Sequence, residues 1–450
     1  MAYILRSDIA LRSWLNIPCA YQVYSRPEAN RLSEEDFELL LRCDGNTELE
    51  ETKALRMLQR LELIEPCAVG EKTLSEWQRL RRYDNLYTPF MNLQITGRCN
   101  YNCLHCFNAK DSGYTHTELS FEQVTDILDQ ARDCGVRALT VTGGEPLVHK
   151  DFLRIVRAVY ERDMMIRELN TNGQLITQEL LDELKKAGCR TAIKISFDGV
   201  GYHDWMRNKK GAEEDALRAM RLCVSNGFET RAQINMNRRN KDAMAETLEL
   251  LDGLGLTSAR IIRTTEVPRL SENAPEICLD INEYYESAWK TLETYAAKPR
   301  RMRLTVWQFL EYDPRTLRLS FSAKCDASEY RDTKPLCRCV RGMIAVGSEG
   351  NIYPCMQAAG TFLSDGIQLT NIFETPLKEQ LKPGSAYMKM ADLKIAQRLE
   401  HNPECAACPH WKECRGGCPA IGYICSGGDW LGIDRWKCAF FKGGYHRRSL

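Results

Sequence analysis

The sequence predicts an α/β protein built around an open, partial (β/α)6 barrel. A small winged-helix-like unit precedes the barrel and a loop-rich, cysteine-dense region follows it. Two observations lead to this fold class. Short β-branched or apolar runs alternate with amphipathic segments from about residue 90, and this alternation stops near residue 300, where Cys, Gly and Pro become dense. Because 450 residues suit two or three domains, we predict units at 1–85, 90–300 and 301–450.

Six strand-like runs define the predicted barrel. They are "NLQIT" (92–96), "ALTVT" (138–142), "MIRELN" (165–170), "AIKISF" (192–197), "ETRAQIN" (229–235) and "ARIIR" (259–263). Strands that alternate with helices imply right-handed βαβ units and a parallel sheet. Six units are too few for a closed eightfold barrel, so we expect an open barrel with its chemistry at the carboxyl ends of the strands.

The first 85 residues read as a separate module. "LSEEDFELLLRCDG" and "ALRMLQRLELIE" have the apolar spacing of two short helices, and "LIEPCAV" resembles a strand. This combination fits a small winged helix. The region holds 12 Lys and Arg against 15 Asp and Glu, which disfavours a phosphate-binding face. We therefore expect a peptide or protein partner here and no nucleic acid.

Composition narrows the class of protein. Hydrophobic residues make up 44%, charged residues 27%, and the formal net charge is zero. No run of 18 apolar residues occurs, so no membrane span is expected. Arg6, Asp8 and Arg12 interrupt the start of the chain where a signal peptide needs an apolar core, so we expect a cytoplasmic protein.

Twenty cysteines are the unusual feature of the composition. In a reducing compartment they indicate bound metal rather than disulfides. A subset stands singly in apolar or helical contexts, and we interpret its members as small core residues. These are Cys19, Cys43, Cys67, Cys134, Cys189, Cys223 and Cys278.

Three closely spaced cysteines directly follow the first predicted strand. Cys99, Cys103 and Cys106 form a Cys-x3-Cys-x2-Cys array within "GRCNYNCLHCFN". A structural zinc site commonly uses four ligands from paired Cys-x2-Cys units. Three thiolates in one loop match instead a [4Fe–4S] cluster with one iron open to a further ligand.

This array and the motifs that follow it resemble the radical S-adenosylmethionine (SAM) superfamily. The motifs are "TGGEPL" after the second strand, "NTNG" after the third and "SFDG" after the fourth. The resemblance implies that SAM chelates the open iron and is cleaved reductively to a 5′-deoxyadenosyl radical that abstracts hydrogen.

The same resemblance implies a set of SAM-binding residues. Phe107 would lie beside the adenine, the "GGEP" segment would hold the methionine amino group, Ser196 would contact the ribose and Arg207 would pair with the carboxylate. Alternatively, Arg207 is a solvated surface arginine. The full implied set is Phe107, Gly143, Gly144, Glu145, Pro146, Asn170, Ser196, Asp198 and Arg207.

A second field of cysteines lies near the carboxyl terminus. It resembles the seven-cysteine SPASM pattern, which implies two auxiliary [4Fe–4S] clusters and therefore three clusters in all; a zinc ribbon is the alternative. The resemblance would put Cys355 and Cys418 on the nearer cluster with upstream cysteines, among which Cys325, Cys337 and Cys339 compete. The farther cluster would take Cys405, Cys408, Cys414 and Cys438, with Cys425 competing for the last position.

SPASM proteins similar to this chain mostly modify peptides, and the N-terminal module resembles the RiPP recognition element that binds the leader of a ribosomal precursor peptide. The resemblance implies a peptide maturase that forms a carbon–carbon or Cys thioether cross-link and takes electrons from a flavodoxin or ferredoxin. An anaerobic sulfatase-maturating enzyme and a non-enzymatic iron–sulfur sensor are the alternatives. The sequence does not single out a general base, the bond formed or the oligomeric state.

Overall fold

The computed structural model describes residues 1–108, 117–265, 268–306, 310–321, 327–337 and 342–448. Cys325 and Cys339, two of the competing candidate cluster ligands, lie outside these ranges. No described helix is both long enough and apolar enough to cross a bilayer.

The N-terminal module contains two small sheets and two helices. Its strands are β1 (Ala2–Leu5), β2 (Ile9–Trp14), β3 (Ile17–Val23), β4 (Ala29–Arg31), β5 (Asp44–Glu48), β6 (Ile64–Cys67) and β7 (Arg81–Arg82). They form sheets in the orders β5-β1-β6 and β4-β3-β2-β7. The predicted helices are present as Glu34–Leu41 and Lys53–Arg60, each with an N-cap hydroxyl, from Ser33 and Thr52. The β2–β3 hairpin was not predicted.

The predicted parallel sheet is confirmed, with all six strands near their expected positions. They are β8 (Phe90–Gln94), β9 (Ala138–Thr142), β10 (Met165–Thr171), β11 (Ala192–Ser196), β12 (Thr230–Met236) and β13 (Ser258–Arg263). Each pairs in parallel with the next in chain order. Their carboxyl ends therefore meet at one rim of the sheet.

The sheet continues beyond residue 300, where alternation was expected to stop. The added strands are β14 (Arg303–Val306), β15 (Leu310–Asp313), β16 (Arg318–Phe321), β17 (Met343–Val346) and β18 (Ile352–Tyr353). Of these, β14 pairs in parallel with β13, and β17 pairs in parallel with β8 at the other edge. Among the described residues the sheet has eleven strands, and its edges β16 and β18 do not pair with each other.

The two faces of the sheet differ in polarity. Strand register aligns Asn92 with Thr140, Thr140 with Glu168, and Lys194 with Arg231, so polar side chains share the inner face. The alternate, apolar positions bury the outer face under helices. These helices are Phe121–Asp133, Phe152–Tyr160, Gln178–Lys186, Ala212–Ser225, Met244–Gly253 and Ile281–Ala296. Two further helices, His203–Arg207 and Pro268–Asn273, pack together in a separate apolar cluster.

The carboxyl-terminal region consists of short helices and loops packed onto the barrel. Its helices are Ala359–Ser364, Leu377–Gln380, Ala386–Ala391, Ile395–His401, Trp411–Cys414, Pro419–Cys425 and Arg435–Lys442. The hydroxyl of Tyr285, on the barrel, donates to the Trp436 carbonyl at 2.7 Å. Of the seven single cysteines, Cys19 and Cys278 are partly exposed and the other five are buried, as a core role requires.

The N-terminal module docks at the amino ends of the barrel strands. Trp14 inserts beside the turn that leads into β9, where its indole Nε1 donates to the Cys134 carbonyl at 3.2 Å. Gly135 in this turn has φ +80°, and a Cβ there would lie 2.5 Å from the same indole nitrogen. Arg137 donates to the Tyr24 carbonyl at 2.6 Å. The module therefore lies at the end of the barrel opposite the carboxyl-terminal rim.

Candidate active site

The loop after β8 brings the three cysteines of the first array together. Desolvation raises the pKa of Cys99 to about 12, and the charges of Cys103 and Cys106 act in the same direction, as expected for neighbouring thiols. The backbone N–H of Tyr101 points to the Cys99 sulfur at 3.4 Å. The three cysteines that the sequence analysis grouped thus share one loop at the carboxyl-terminal rim.

The "TGGEPL" segment packs directly against this cysteine loop. Gly144 donates to the Thr96 carbonyl at 2.7 Å, and Glu145 donates to the Arg98 carbonyl at 2.8 Å. A Cβ at Gly143 would lie 2.7 Å from the Thr96 carbonyl oxygen, and one at Gly144 would lie 2.3 Å from that of Arg98. Both glycines are therefore needed for the backbones to approach each other, which fixes the cysteine loop on the rim.

Glu145 connects the ends of β9 and β10. Its side chain is 1% exposed. One oxygen accepts from the Thr171 hydroxyl at 2.8 Å, and the other accepts from the Asn172 backbone at 2.7 Å. Burial raises the pKa of Glu145 to about 7, although these donors lower it. In this structure, both carboxylate oxygens therefore accept hydrogen bonds from protein groups.

Asp198 and Arg207 form a buried ion pair beside the cysteine loop. Asp198 is 0% exposed and Arg207 is 7% exposed, so the alternative of a solvated surface arginine is wrong. Arg207 Nε lies 2.8 Å from Asp198 Oδ2, and its Nη1 lies 3.8 Å from the Cys103 sulfur. Burial by itself would lower the pKa of Arg207, but the charges of Asp198, Cys103 and Cys106 together outweigh burial and raise it. The pair places a permanent cation next to a candidate cluster ligand.

A small network links Asp198 to the middle of the cysteine loop. Asp198 Oδ1 accepts from the backbone and side-chain nitrogens of Asn235, at 3.0 and 3.1 Å. The Asn235 amide also lies 3.1 Å from His105 Nε2. Burial lowers the pKa of His105 to about 4, so the ring is neutral near pH 7. The sequence analysis singled out neither Asn235 nor His105, although His105 stands inside the quoted motif "CLHC".

Several buried polar atoms at the rim have no hydrogen-bond partner among the described residues. They include Oδ1 of Asn170 and both amide atoms of Gln94. Gln94 is the last residue of β8 and pairs with Thr142, so it belongs to the polar inner face. Buried polar groups are normally hydrogen-bonded, so these atoms indicate a polar ligand at the rim. Strand polarity could have revealed Gln94, but the prediction included only Asn170.

The remaining predicted SAM-site residues lie around the same rim. Ser196 ends β11 and aligns with Gln233 of β12, on the inner face. Pro146 is buried and begins a short 3-10 helix after the glycines. Phe107 follows the third cysteine and is 48% exposed. All nine predicted residues therefore lie near the carboxyl ends of β8 to β11 or in the segments that follow them.

The residues of this site fit an iron–sulfur cluster with a polar cofactor beside it. The donor set is three thiols, and an N–H and a guanidinium group point to two of the sulfurs. Such donors stabilise the negative charge of cluster thiolates. Within the described ranges, no three His, Cys, Asp or Glu side chains converge tightly enough for a single metal ion. A four-iron cluster is wider than one ion and does not require such convergence.

Four cysteines of the second field influence one another. Burial raises the pKa of Cys405, and the charges of Cys438 and Cys408 raise it further. Burial raises the pKa of Cys414 to about 12, and Cys438 again adds to the shift. Burial also raises the pKa of Cys425, but the neighbouring groups that act on it are Arg435, Asp434 and Arg263 rather than other cysteines. Cys438 is therefore the competitor that lies with the other three.

Cys355 and Cys418 share a different environment. Both pack against one hydrophobic cluster, formed by Ala345, Tyr353, Ala359, Phe362, Ala420 and Tyr423. The backbone N–H of Cys418 donates to Asp434 Oδ2 at 3.1 Å. Cys337, like Cys418 and Cys425, packs against the large hydrophobic core of the barrel.

A buried arginine lies between the two sets of cysteines. Arg398 is 0% exposed and donates to the Gly417 carbonyl at 3.0 Å. Burial lowers its pKa, and the charges of Cys418 and Cys414 are among those that oppose this shift. A Cβ at Gly416 would lie 2.5 Å from the Arg398 side chain. The "RGGC" loop before Cys418 therefore folds closely around this guanidinium.

Comparisons with known proteins agree with the geometry of this rim. Residues 93–251 match the family model described as "Radical SAM superfamily". AdoMet-dependent heme synthase of Methanosarcina barkeri is 26% identical over 343 residues, which is 74% of this chain and 92% of that protein. Mycofactocin maturase MftC of Mycolicibacterium smegmatis is 27% identical over 342 residues, which is 74% of this chain and 78% of that protein.

A solved structure resembles almost the whole chain. Streptococcus suis SuiB bound to precursor peptide SuiA has a TM-score of 0.66 and 15% sequence identity. The match covers 97% of this chain and 99% of SuiB. At this identity, the likeness shows a shared α/β fold with a large parallel sheet.

Proposed function

Since this chain is a radical SAM enzyme, we propose that it forms an intramolecular cross-link in a ribosomally synthesised precursor peptide. The bond is carbon–carbon or a thioether from a cysteine sulfur. The enzyme works in the reducing cytoplasm, where its many thiols stay available for iron.

Different residues of the rim would hold the cluster and SAM. Cys99, Cys103 and Cys106 would ligate the cluster, and Gly143 and Gly144 keep their loop against the sheet. When bound, the cluster and SAM supply the one-electron chemistry that removes a hydrogen atom from an unactivated carbon. The amide of Gln94 and Oδ1 of Asn170, which have no hydrogen-bond partner in the described part of the chain, would offer hydrogen bonds to SAM or to the peptide backbone.

The second cysteine field is proposed to hold two auxiliary clusters. Cys405, Cys408, Cys414 and Cys438 would ligate one, which is supported by the mutual effects of their charges. Cys355 and Cys418 would belong to the other, which is supported by their shared hydrophobic cluster. Cys337 and Cys339 complete this second set in the proposal. Cross-linking removes two hydrogens from the peptide, and an auxiliary cluster would accept the second electron.

The N-terminal module is the observation that best supports a peptide substrate. The relatives from Methanosarcina and Mycolicibacterium align with 74% of this chain, whereas the likeness to SuiB in complex with its precursor peptide covers 97%. We propose that the module binds the leader of the precursor, by pairing with a strand at the edge of one of its two sheets. A heme-forming or sulfatase-maturating enzyme has no evident use for such a module.

The test is mass spectrometry of the precursor peptide encoded beside the gene, with anaerobically reconstituted enzyme, SAM and a reductant. Loss of two hydrogens per modification is the expected result, and fragmentation then separates thioether from carbon–carbon bonds. A matched peptide without its leader should remain largely unmodified. Uptake of solvent deuterium without a mass loss would instead establish epimerisation, and an unchanged peptide alongside 5′-deoxyadenosine would reject this substrate.

A further inference from the structure

An open cleft of about 560 Å³ lies on the outer side of the cysteine loop. Leu104 and Trp205 contribute apolar surface to it, and Lys209 and Lys210 line it as well. Leu104 and Trp205 also pack together against the buried residues Met206 and Leu270. The cleft is therefore a formed part of the surface, built by the cysteine loop and the helix His203–Arg207.

The floor of this cleft is one residue away from a candidate cluster ligand. Leu104 directly follows Cys103, and its backbone N–H donates to the Met206 carbonyl at 3.1 Å. The next residue of that helix, Arg207, places its Nη1 3.8 Å from the Cys103 sulfur. A molecule seated in the cleft thus reaches the first cluster through Leu104 and Cys103.

Positively charged side chains outnumber negatively charged ones in and beside the cleft. Lys209 and Lys210 are exposed, and Arg239 stacks on Trp205 with its guanidinium carbon 4.2 Å from the ring centre. None of these three cations has a salt-bridge partner among the described residues. We refer to Lys209, Lys210 and Arg239 as the cationic rim.

The carboxylate of Asp204, which also lines the cleft, offsets only one of these cations. Asp204 uses its two carboxylate oxygens to accept from the backbone N–H groups of Gly211 and Glu213, each at 2.7 Å. Its charge therefore supports the start of the helix Ala212–Ser225. Arg269, whose guanidinium donates to the Asn102 side chain, adds a further cation beside the cysteine loop.

We propose that the cationic rim docks an acidic one-electron donor protein of the flavodoxin class, directly over the first cluster. The chain has a formal net charge of zero, so this local excess, rather than the overall charge, would steer an acidic partner. In the transfer step, an anionic flavin hydroquinone loses one electron to become the neutral semiquinone. The [4Fe–4S] cluster gains that electron and passes from the 2+ to the 1+ state. The proposal rests on the radical SAM assignment and deepens it.

The test compares two double variants of the reconstituted holoenzyme. Lys209→Glu with Lys210→Glu reverses two charges of the rim. Lys290→Glu with Lys389→Glu makes the same change in net charge elsewhere, at two exposed lysines without described ion pairs. Stopped-flow absorbance follows cluster reduction by flavodoxin hydroquinone at low and at high salt.

We expect the rim variant to slow reduction by flavodoxin at least about tenfold at low ionic strength, with the difference shrinking in high salt. The control variant should reduce at the wild-type rate. Photoreduced deazariboflavin, a small uncharged donor, should reduce all three proteins equally, which separates docking from damage to the cluster.

Equal flavodoxin rates in the rim variant and the wild type would overturn the proposal. So would a raised KM for the precursor peptide with unchanged flavodoxin reduction, because the rim would then serve the substrate. The reduction assay contains no peptide, so failure of the proposed cross-linking reaction would leave its outcome interpretable.

Discussion

Asp198 and Arg207 form a pair in which each charge depends on the other. Both are buried, and Arg207 also approaches the Cys103 sulfur. Asp198→Asn should lower the free energy of unfolding by about 3–5 kcal/mol, because it leaves the guanidinium without its counterion. The same change should weaken SAM binding, since Arg207 would no longer be held in place. Denaturant unfolding and isothermal titration with SAM measure the two effects.

A double-mutant cycle measures how much of this loss of stability comes from the interaction between Asp198 and Arg207. Arg207→Met alone should also be costly, whereas the variant with both substitutions should be more stable than the sum of the two losses implies. Additive losses would mean that the ion pair contributes nothing beyond the separate side chains.

Single residues also show where sequence reasoning stops. Cys99, Cys103 and Cys106 could be read from their spacing, because the chemistry of the ligands is local. Gln94 could also have been inferred, from the polar alternation of β8, but Asn235 could not, because its place at the rim depends on the register of β12 with its neighbours. The sequence predicts that the segment with Glu145 holds the SAM amino group, but it does not reveal that the two carboxylate oxygens of Glu145 bind Thr171 and Asn172.

At the scale of elements, the contact between the glycine loop after β9 and the cysteine loop after β8 sets the geometry of the rim. Gly144→Ala would place a methyl group 2.3 Å from the Arg98 carbonyl oxygen, so one backbone must move. We expect the variant to lose about 1–3 kcal/mol of stability and much of its cluster. Iron content and the absorbance of the reconstituted protein measure the second effect.

Gly253→Ala is the matched control for this substitution. A Cβ at Gly253, the last residue of the helix Met244–Gly253, meets no other atom within 4 Å. It should keep wild-type iron content and stay within about 1 kcal/mol of wild-type stability. Equal iron loss in both alanine variants would contradict the role given to Gly144.

The elements differ in how far the sequence predicts them. The six central strands are apolar runs between amphipathic helices, so both their type and their order follow from the pattern. By contrast, β2 is buried at all six positions, so it lacks the alternation that indicates a hairpin strand. Strands β14 to β18 have two to four residues each. They form by pairing with the existing sheet, and a local sequence pattern does not predict such pairing.

Across the whole molecule, Arg398 connects the two proposed auxiliary clusters. Its charge interacts with Cys414 of one set and Cys418 of the other. Arg398→Met should lower the reduction potentials of both clusters by tens of millivolts, because a nearby cation favours the reduced state. Electron paramagnetic resonance during a redox titration measures the shift.

Two further variants distinguish charge from packing. Arg398→Lys keeps the cation and should restore most of the potential, even though it cannot reproduce every guanidinium hydrogen bond. Lys389→Met removes one exposed cation from the surface and should leave both potentials unchanged. Wild-type potentials in the Arg398→Met protein would show that this arginine only supports the fold of its loop.

The position of the N-terminal module has a consequence for the peptide itself. The module sits at the amino ends of the strands, whereas the rim lies at their carboxyl ends. The longest of these strands, β10 and β12, have seven residues each and span about 23 Å. An extended chain covers about 3.3 Å per residue. A precursor anchored by its leader therefore needs a spacer of at least about seven residues before its first modifiable position. Progressive deletions in that spacer should cause a sharp loss of product below this length. The length of the barrel would then set the minimum distance between the leader and the first modified residue.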